Sequence, residues 1–438
     1  MAWPAALSLM LGLLCLFMVL GLPVAFAFLA VNAVGAWVFL GGDAGLMLMV
    51  RNSLAAVGNF ALVPIPLFLL MGEILLHTGV AFRAIDAIDR LIARVPGRLA
   101  VVAIAGGTAF SALSGSTIAN TAMLGSTLLP EMLKRGYHPR FAMGPIMAVG
   151  GIAMLIPPSA LAVLLGSLAG ISIAQLLIGG ILPGLLMSVL FVGYVILRAR
   201  ARPDLAPMQV LPSLSRRERW QPFLIYVAPL SLIFIVVVGS IFAGFATATE
   251  SAALGCVAAT LAAAVYRSLT LASLAKALRE TAKITVMILF IIAASMTFAQ
   301  ILAFSGATDG LLRAIQALHL SPFAILLAMM GLLLILGMFM DQVSMIMMTL
   351  PFYIPLANAA GIDLLWLGVL MLIVMEISFT TPPFGLILYV MKGVAPPTVT
   401  MNQIWAAALP FILLECMVLA LLILIPDLAT WLPQLIRR

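Results

Sequence analysis

The stretch FSALSGSTIANTAMLGSTLLPEMLKRGY, residues 110–137, contains seven Ser and Thr side chains and one Asn, and it has no charged residue before Glu131. The chain around it is strongly apolar, since hydrophobic residues make up 64% of the sequence and charged residues 8%. Typical soluble proteins contain roughly 45–50% hydrophobic residues and about 25% charged residues. The composition therefore predicts an integral membrane protein. A concentration of hydrogen-bonding groups within it indicates a buried or cavity-lining segment.

Repeated apolar segments of about 20 residues predict an all-α polytopic membrane protein, because a helix satisfies its own backbone polar groups in lipid. The predicted complete spans are residues 3–22, 23–41, 61–78, 176–198, 222–242, 245–266, 284–304 and 403–425. Two further apolar segments, 141–175 and 364–392, contain Pro-Pro near the middle. Since Pro removes an amide donor and clashes with the preceding turn, each segment is predicted to be a broken helix. Cys15, Cys256 and Cys416 have neither metal nor disulfide spacing and are interpreted as packing residues.

Basic residues predict the orientation in the membrane. Six Arg lie between residues 198 and 219, and four Lys or Arg between residues 267 and 283. The positive-inside rule places both segments in the cytoplasm, together with the amphipathic segment 79–98 and a basic cluster after residue 130. The net charge of +7 then reflects topology and anionic lipid, and no nucleic-acid motif accompanies it.

The segment 99–130 joins two parts of the chain that are both predicted to be cytoplasmic. It has 32 residues, fewer than the roughly 40 that two complete membrane crossings need. We therefore predict a re-entrant hairpin with polar residues at its tip.

The second half of the chain repeats this plan. At an offset of 225, Pro130 matches Pro355, Gly136 matches Gly361, and Pro157 and Pro158 match Pro382 and Pro383; at an offset of 227, Gly79 matches Gly306. The second copy is poor in Lys and Arg, which indicates that it faces the opposite side. Inverted repeats with two re-entrant hairpins and two Pro-broken helices are typical of secondary transporters, ion transporters among them.

The plan divides the chain into eight predicted segments. These are scaffold helices (1–78 and 222–305), amphipathic arms (79–98 and 306–320), a hairpin and broken helix of the transport domain (99–197 and 321–425), a cytoplasmic basic loop (198–221) and a C-terminal tail (426–438). The N-terminus is predicted to be periplasmic.

At a hairpin tip, amide donors can face an anion, and unwound carbonyls and hydroxyls can surround a cation. The predicted first cation site comprises Ser114, Gly115, Ser116, Asn120, Pro157 and Pro158. The predicted second site comprises Asp341, Thr380, Thr381, Pro382 and Pro383. The predicted substrate-lining residues are Ser116, Thr117, Ser159, Glu250 and Gly385. These oxygen-rich sets favour Na⁺ over a transition metal, although small and hydroxyl residues also serve simply to pack helices in membranes.

Acidic residues within apolar segments are further candidates, because an ionised carboxylate is costly there. Glu376 precedes the second break, Glu250 follows a run of small and hydroxyl residues, and Glu73 matches Gln300 in the second half. Two other classes of protein remain open at this point. Re-entrant hairpins also line channel pores, and ALSGS is weakly similar to an intramembrane serine hydrolase motif that here lacks a mid-span His.

Six segments together resemble the large membrane subunit of tripartite ATP-independent periplasmic (TRAP) transporters. They are ALSGSTIANTAMLGSTLLPEMLKRGY (112–137), GGIAMLIPPS (150–159), GISIAQLLIGGILPGLL (170–186), GSIFAGFATATESAAL (239–254), GMFMD (337–341) and EISFTTPPFGLILYV (376–390). Ala248 departs from the family pattern at a common Pro, and Ser378 at a common Gly.

The resemblance implies Na⁺-driven import of a carboxylate-bearing organic solute across the bacterial inner membrane by an elevator motion, without enzymatic activity or an organic cofactor. It implies two protein partners, a small four-helix membrane subunit and a periplasmic solute-binding protein. It also implies that Ser114, Gly115, Ser116, Pro157 and Pro158 belong to one sodium site, and Asp341, Thr381, Pro382 and Pro383 to the other. A stand-alone sodium-coupled carboxylate transporter is the alternative within the transporter class.

Overall fold

The computed structural model describes residues 2–92, 95–114, 117–207, 215–383 and 385–435, with the backbone alone for 111–114. Within these ranges the chain forms helices and turns and no strand, which confirms the all-α prediction. Eight segments of the described chain are long and apolar enough to cross a membrane. Shorter apolar helices include Trp3–Val19, Val24–Phe39, Pro322–Gly337 and Leu364–Thr380.

The helices of the first half are α1 (Trp3–Val19), α2 (Val24–Phe39), α3 (Asp43–Val57), α4 (Pro64–His77), α5 (Val80–Leu91), α6 (Arg98–Ser114), α7 (Thr117–Lys134), α8 (Pro139–Leu155), α9 (Ala160–Ala169), α10 (Ile173–Gly179) and α11 (Ile181–Ala201). Those of the second half are α12 (Arg216–Pro222), α13 (Ala228–Phe242), α14 (Ala248–Val265), α15 (Leu271–Phe304), α16 (Ala307–Ala317), α17 (Pro322–Gly337), α18 (Gln342–Ala360), α19 (Leu364–Thr380), α20 (Leu386–Val394), α21 (Met401–Leu424) and α22 (Asp427–Gln434).

Both predicted breaks are present, and each predicted hairpin consists of two helices that pack together, while its re-entrant course in the membrane stays a prediction. Helices α6 and α7 pack on each other, as do α17 and α18. The segment predicted as one broken helix is α8 followed by α9, and its counterpart is α19 followed by α20. Each break contains Pro-Pro, since Pro supplies no amide hydrogen for a continuous helix.

The two broken helices lie at the centre of the molecule. Every side chain from Phe141 to Leu155 on α8 and from Leu367 to Thr380 on α19 is buried, and the two helices contact each other. Each hairpin packs on the broken helix of its own half. In addition, α7 contacts α20 and α18 contacts α9. The packing thus crosses between the halves in a reciprocal pattern.

A second group of helices packs around α15. Helices α2, α3 and α4 all lie against α15, and α14 packs on α4 and α13. This group meets the central one where α4 contacts α6 and α9 and where α15 contacts α18. The amphipathic helix α5 is joined to the start of α6 by an ion pair, with Asp89 Oδ1 2.9 Å from Arg98 Nε.

Matched positions of the two halves adopt matched backbone conformations. Gly79 and Gly306 precede α5 and α16 with φ of 73° and 70°, and Gly136 and Gly361 have φ of 80° and 69°. Left-handed values of this kind favour glycine. The order of helices therefore repeats as the sequence indicates, while the inverted orientation of the halves stays a prediction.

Three helical features differ from the sequence-based expectation. Helix α3 was not predicted; its Ser53 hydroxyl donates to the Ala293 carbonyl at 2.9 Å, and its Asn52 amide donates to Gln300. Helix α15 has 34 residues and begins at a capping box on Thr270, well before residue 284. The predicted tail contains α22, which packs on α10.

Candidate ion and solute site

Polar side chains of the first hairpin bind backbone carbonyls of neighbouring helices. The Thr117 hydroxyl donates to Gly150 O at 3.1 Å, and the Asn120 amide donates to Gly107 O and Val149 O, each at 3.5 Å. Gly150 permits this approach, because a Cβ there would lie 2.8 Å from Thr117 Cγ2. These hydrogen bonds tie α7 to α6 and α8.

Part of the predicted first sodium site lies outside the described residues. Gly115 and Ser116 fall in a gap of the description, and Ser114 is described by its backbone alone, as the last residue of α6. The assignment of these three residues and of Asn120 to a sodium site stays a prediction.

The first break brings two helix ends to one buried point. Residues 156–159 are all buried. Because Pro157 and Pro158 have no amide hydrogen, the carbonyls of Ala153 and Met154 lose the donors that a continuous helix would provide. On the other side of the break, Ser159 Oγ accepts a hydrogen bond from Ala162 N at 3.2 Å and caps α9.

The tip of the second hairpin lies against the end of α19. Asp341 caps α18, and its carboxylate accepts hydrogen bonds from Ser344 N at 3.1 Å and from the Ser344 hydroxyl. Gly337, the last residue of α17, contacts Ser378 so closely that a Cβ at position 337 would lie 1.9 Å from Ser378 Oγ. The hairpin tip and the break at residues 381–385 are therefore neighbours.

Backbone oxygens converge at the second break. The hydroxyls of Thr380 and Thr381 donate to the Ile377 carbonyl at 3.0 and 2.5 Å. Pro383 has no amide hydrogen for the Phe379 carbonyl, its partner in a continuous helix. A Cβ at Gly385 would lie 2.7 Å from Phe379 O and 2.8 Å from Thr381 O. The missing side chain leaves a cradle beside two carbonyl oxygens, of which Thr381 O accepts a hydrogen bond from Gly385 N at 3.1 Å. Carbonyl oxygens are ligands that suit a hard cation.

The two breaks differ in exposure. Pro157, Pro158 and Ser159 are buried, whereas Pro383 is exposed and Thr381 and Pro382 are partly exposed. The second break is thus the more accessible of the two in this conformation.

A pair of buried carboxyl groups lies beside the second break. Glu376 on α19 and Glu415 on α21 are 0% exposed. The Glu376 carboxyl has no hydrogen-bond partner among the described residues, whereas the Glu415 carboxyl lies near the Thr380 hydroxyl. The two carboxyl groups are close enough to interact electrostatically. Gly151 makes room for Glu376, since a Cβ there would lie 2.3 Å from Glu376 Cγ.

Glu376 was a candidate from the sequence, but Glu415 was missed. It occurs inside α21, a span of 24 residues, away from the hairpins and breaks that directed the search. The signal that could have identified it is simply a carboxylate within an uninterrupted apolar helix.

Two other acids lie apart from the hairpin tips. The carboxylate of Glu250 accepts hydrogen bonds from Thr247 N and Oγ1 at 2.7 and 2.8 Å, forming the capping box of α14. Its side chain is exposed, and α14 packs chiefly on α4 and α13. The structure thus does not bring Glu250 together with the other predicted substrate-lining residues. Glu73 Oε2 lies 3.0 Å from His77 Nε2 on the same helix.

Helical hairpins that meet interrupted helices inside a multi-pass bundle are typical of membrane transporters. The family model described as "Tripartite ATP-independent periplasmic transporter, DctM component" matches residues 11–428. The chain belongs to this family, and it is a large permease subunit that serves solute import. The resemblance seen in the sequence is confirmed, and the hydrolase alternative is rejected.

Curated relatives and a solved structure agree with this assignment. The chain is 33% identical to the C4-dicarboxylate TRAP transporter large permease protein DctM of Pseudomonas aeruginosa, over 86% of this chain and 87% of that one. It is 31% identical to the ectoine TRAP transporter large permease protein TeaC of Halomonas elongata, over 98% of both chains. The crystal structure of the YdaH transporter of Alcanivorax borkumensis shares the fold, with a TM-score of 0.65, 14% identity and coverage of 94% and 97%.

Proposed function

We propose that this chain imports a carboxylate-bearing organic solute across the bacterial inner membrane, coupled to Na⁺, by an elevator motion. A periplasmic solute-binding protein would deliver the solute, and a small four-helix membrane subunit would complete the transporter. Family membership supports both partners, because the family is defined as tripartite.

The observation that carries sodium coupling is the carbonyl cradle at Gly385. Two carbonyl oxygens converge there, and the carboxylate of Asp341 belongs to the hairpin tip that packs on the same helix end. Oxygen ligands without sulfur or imidazole suit a hard cation. Inside a membrane, the Phe379 carbonyl, which loses its amide donor at Pro383, needs such a partner or water. The Thr381 carbonyl already accepts a hydrogen bond from Gly385 N.

The chemistry of the tips bears on the substrate. Residues 110–130, 152–160, 337–350 and 376–386 contain no Lys or Arg. A solute carboxylate would therefore be held by hydroxyls, backbone amides and bound Na⁺. The relatives named above are named for C4-dicarboxylates and for ectoine, so substrate choice varies within the family.

The elevator motion is supported by the packing of the helices into two groups. The hairpins and broken helices form one packed group, and α15 with its neighbours forms another. The amphipathic helices α5 and α16 occur where the chain passes from α4 and α15 into the two hairpins. A rigid central group could move past the second group while the arms adapt.

Uptake by reconstituted protein tests the proposal. Proteoliposomes with both membrane subunits should accumulate labelled solute only with an inward Na⁺ gradient and the loaded binding protein outside. Replacing Na⁺ by K⁺ is the control for ionic strength. Accumulation without the binding protein would favour a stand-alone transporter, and rapid Na⁺-independent flux would favour a channel.

A further inference from the structure

A basic cavity of about 250 Å³ lies between two helix ends and the side of a third helix, away from the hairpin tips. It is lined by the N-terminal residues of α8, the C-terminal residues of α11 and the middle of α21. His138 and Arg140 contribute from the first helix, and Arg198 and Arg202 from the end of the second. The sequence predicts that this end of the molecule faces the cytoplasm.

The positive charge around the cavity is not neutralised by described acids. The ion pairs in the described part of the chain involve neither Arg140, Arg198 nor Arg202. By contrast, Arg135, only five residues before Arg140, pairs with Glu131 at 2.6 Å. Three guanidinium groups around one cavity, none of them in an ion pair with a described residue, suit a phosphate, which Arg can bind through two parallel hydrogen bonds.

The remaining walls are apolar and aromatic. Phe141, Tyr194 and Phe411 line the cavity, and the ring centroids of Tyr194 and Phe411 are 5.4 Å apart in an edge-on contact. Nearby on α11 and α21, the apolar side chains of Leu197, Leu409 and Leu413 are 54–68% exposed, as expected of a lipid-facing surface. The cavity therefore combines a site for an anionic head with adjoining apolar surface.

We propose that this cavity binds a phosphate group at the membrane surface, as the head group of an anionic phospholipid. Basic pockets between transmembrane helices on the cytoplasmic side bind such head groups. The exposed apolar side chains beside the cavity favour a lipid over free phosphate, which shares the same head chemistry. The site is independent of the sodium and substrate assignments.

Native mass spectrometry of delipidated protein in detergent tests the proposal. Phosphatidylglycerol should bind the wild type at least tenfold more tightly than phosphatidylcholine. Arg198→Gln/Arg202→Gln should lose most of this preference. Arg216→Gln/Arg217→Gln is the matched control, because it removes the same charge from exposed residues of α12. The single variant Arg140→Gln, if the double variant fails to fold, should weaken binding in the same direction.

A parallel thermal-unfolding assay with inorganic phosphate distinguishes a phospholipid head group from free phosphate as the ligand. Stabilisation of the wild type by inorganic phosphate, absent in Arg198→Gln/Arg202→Gln, would assign the site to free phosphate. Preferential phosphatidylglycerol binding without that effect assigns it to lipid. Equal losses in the cavity and control variants, or no preference for either phosphate compound in the wild type, would overturn the proposal.

Discussion

Asp341 and Asp363 perform the same local task in different surroundings. Each caps a helix, accepting a hydrogen bond from Ser344 N at 3.1 Å or from Trp366 N at 2.8 Å. Asp341 lies at a hairpin tip beside a break, whereas Asp363 lies in the connection between α18 and α19. Comparing variants of the two residues therefore distinguishes loss of a helix cap, which both would suffer, from loss of a cation ligand, which only Asp341 would cause.

Replacing each Asp by Ala should therefore give unequal results. Both variants should lose about 1 kcal/mol of helix-cap stabilisation. Only Asp341→Ala should also weaken sodium binding, by roughly 1–3 kcal/mol or about 5- to 150-fold, the cost of losing one buried ligand. A Na⁺ titration of solute uptake measures the difference. Identical titration curves for the two variants would rule out Asp341 as a sodium ligand.

Glu376 and Glu415 allow a second test with single residues. Burying an ionised carboxylate without a partner costs several kcal/mol. The Glu376 carboxyl has no described hydrogen bond, and the Glu415 carboxyl has only the Thr380 hydroxyl beside it. Glu376→Gln and Glu415→Gln should therefore retain or increase thermal stability in detergent. Glu376→Ala should lose roughly 2–5 kcal/mol, because it leaves a cavity against Gly151. Equal losses in the Gln and Ala variants of Glu376 would mean that its carboxylate is satisfied in the folded protein.

At the scale of helices, contact between α17 and α19 depends on one missing side chain. A Cβ at Gly337 would overlap Ser378, whereas a Cβ at Gly331, earlier on α17, would meet nothing within 4 Å. Gly337→Ala should thus destabilise the second hairpin by about 1–3 kcal/mol. Gly331→Ala, the matched control, should be neutral or slightly stabilising. Thermal unfolding of purified protein measures both.

Removal of the opposing side chain should rescue the first variant. Ser378→Gly eliminates the overlap, so Gly337→Ala/Ser378→Gly should recover stability relative to Gly337→Ala even though Gly costs about 1 kcal/mol within a helix. This coupling tests the contact itself. Additive losses in the double variant would show that the two residues do not touch.

The sequence predicted the central helices better than the peripheral ones, for a physical reason. A hairpin follows from a segment too short for two crossings, and a broken helix follows from Pro-Pro in an apolar segment. Helix α3 carries Asp43, Arg51 and Asn52 and lacks the apolar length of a span, so only its packing on α15 reveals it. The first part of α15 is polar as well, so the sequence pattern predicts the start of this helix too late in the chain.

The sequence could indicate which residues form the candidate site, but not which of their atoms face it. The sequence predicts Asp341, Thr380 and Thr381 as part of a sodium site and Gly385 as a substrate-lining residue, and these assignments stay predictions. The convergence of the Phe379 and Thr381 carbonyls depends on backbone geometry at the break, which side-chain identity does not specify. Thr117 and Asn120, in turn, bind carbonyls of the surrounding helices, so hydroxyl and amide groups at the first tip also have a packing role.

For the whole molecule, repetition within one chain places two similar elements against each other at the centre. The reciprocal contacts of α7 with α20 and of α18 with α9 make each hairpin depend on both halves. An inverted arrangement would place the ends of α7 and α18 on opposite sides of the membrane, which can be tested directly.

Cysteine labelling tests this inverted topology. In a background with Cys15, Cys256 and Cys416 replaced by Ser, Asp86→Cys on α5 should resist an impermeant thiol reagent added to intact cells. Asn358→Cys, in the last turn of α18, should react with the same reagent. Both positions are exposed in the structure, and Asp86 loses only an exposed ion pair with Arg90, worth about 0–1 kcal/mol. Permeabilised cells, in which both variants should react, control for reactivity. Labelling of position 86 in intact cells would contradict the inverted repeat, because it would place the basic arm outside with the end of the second hairpin.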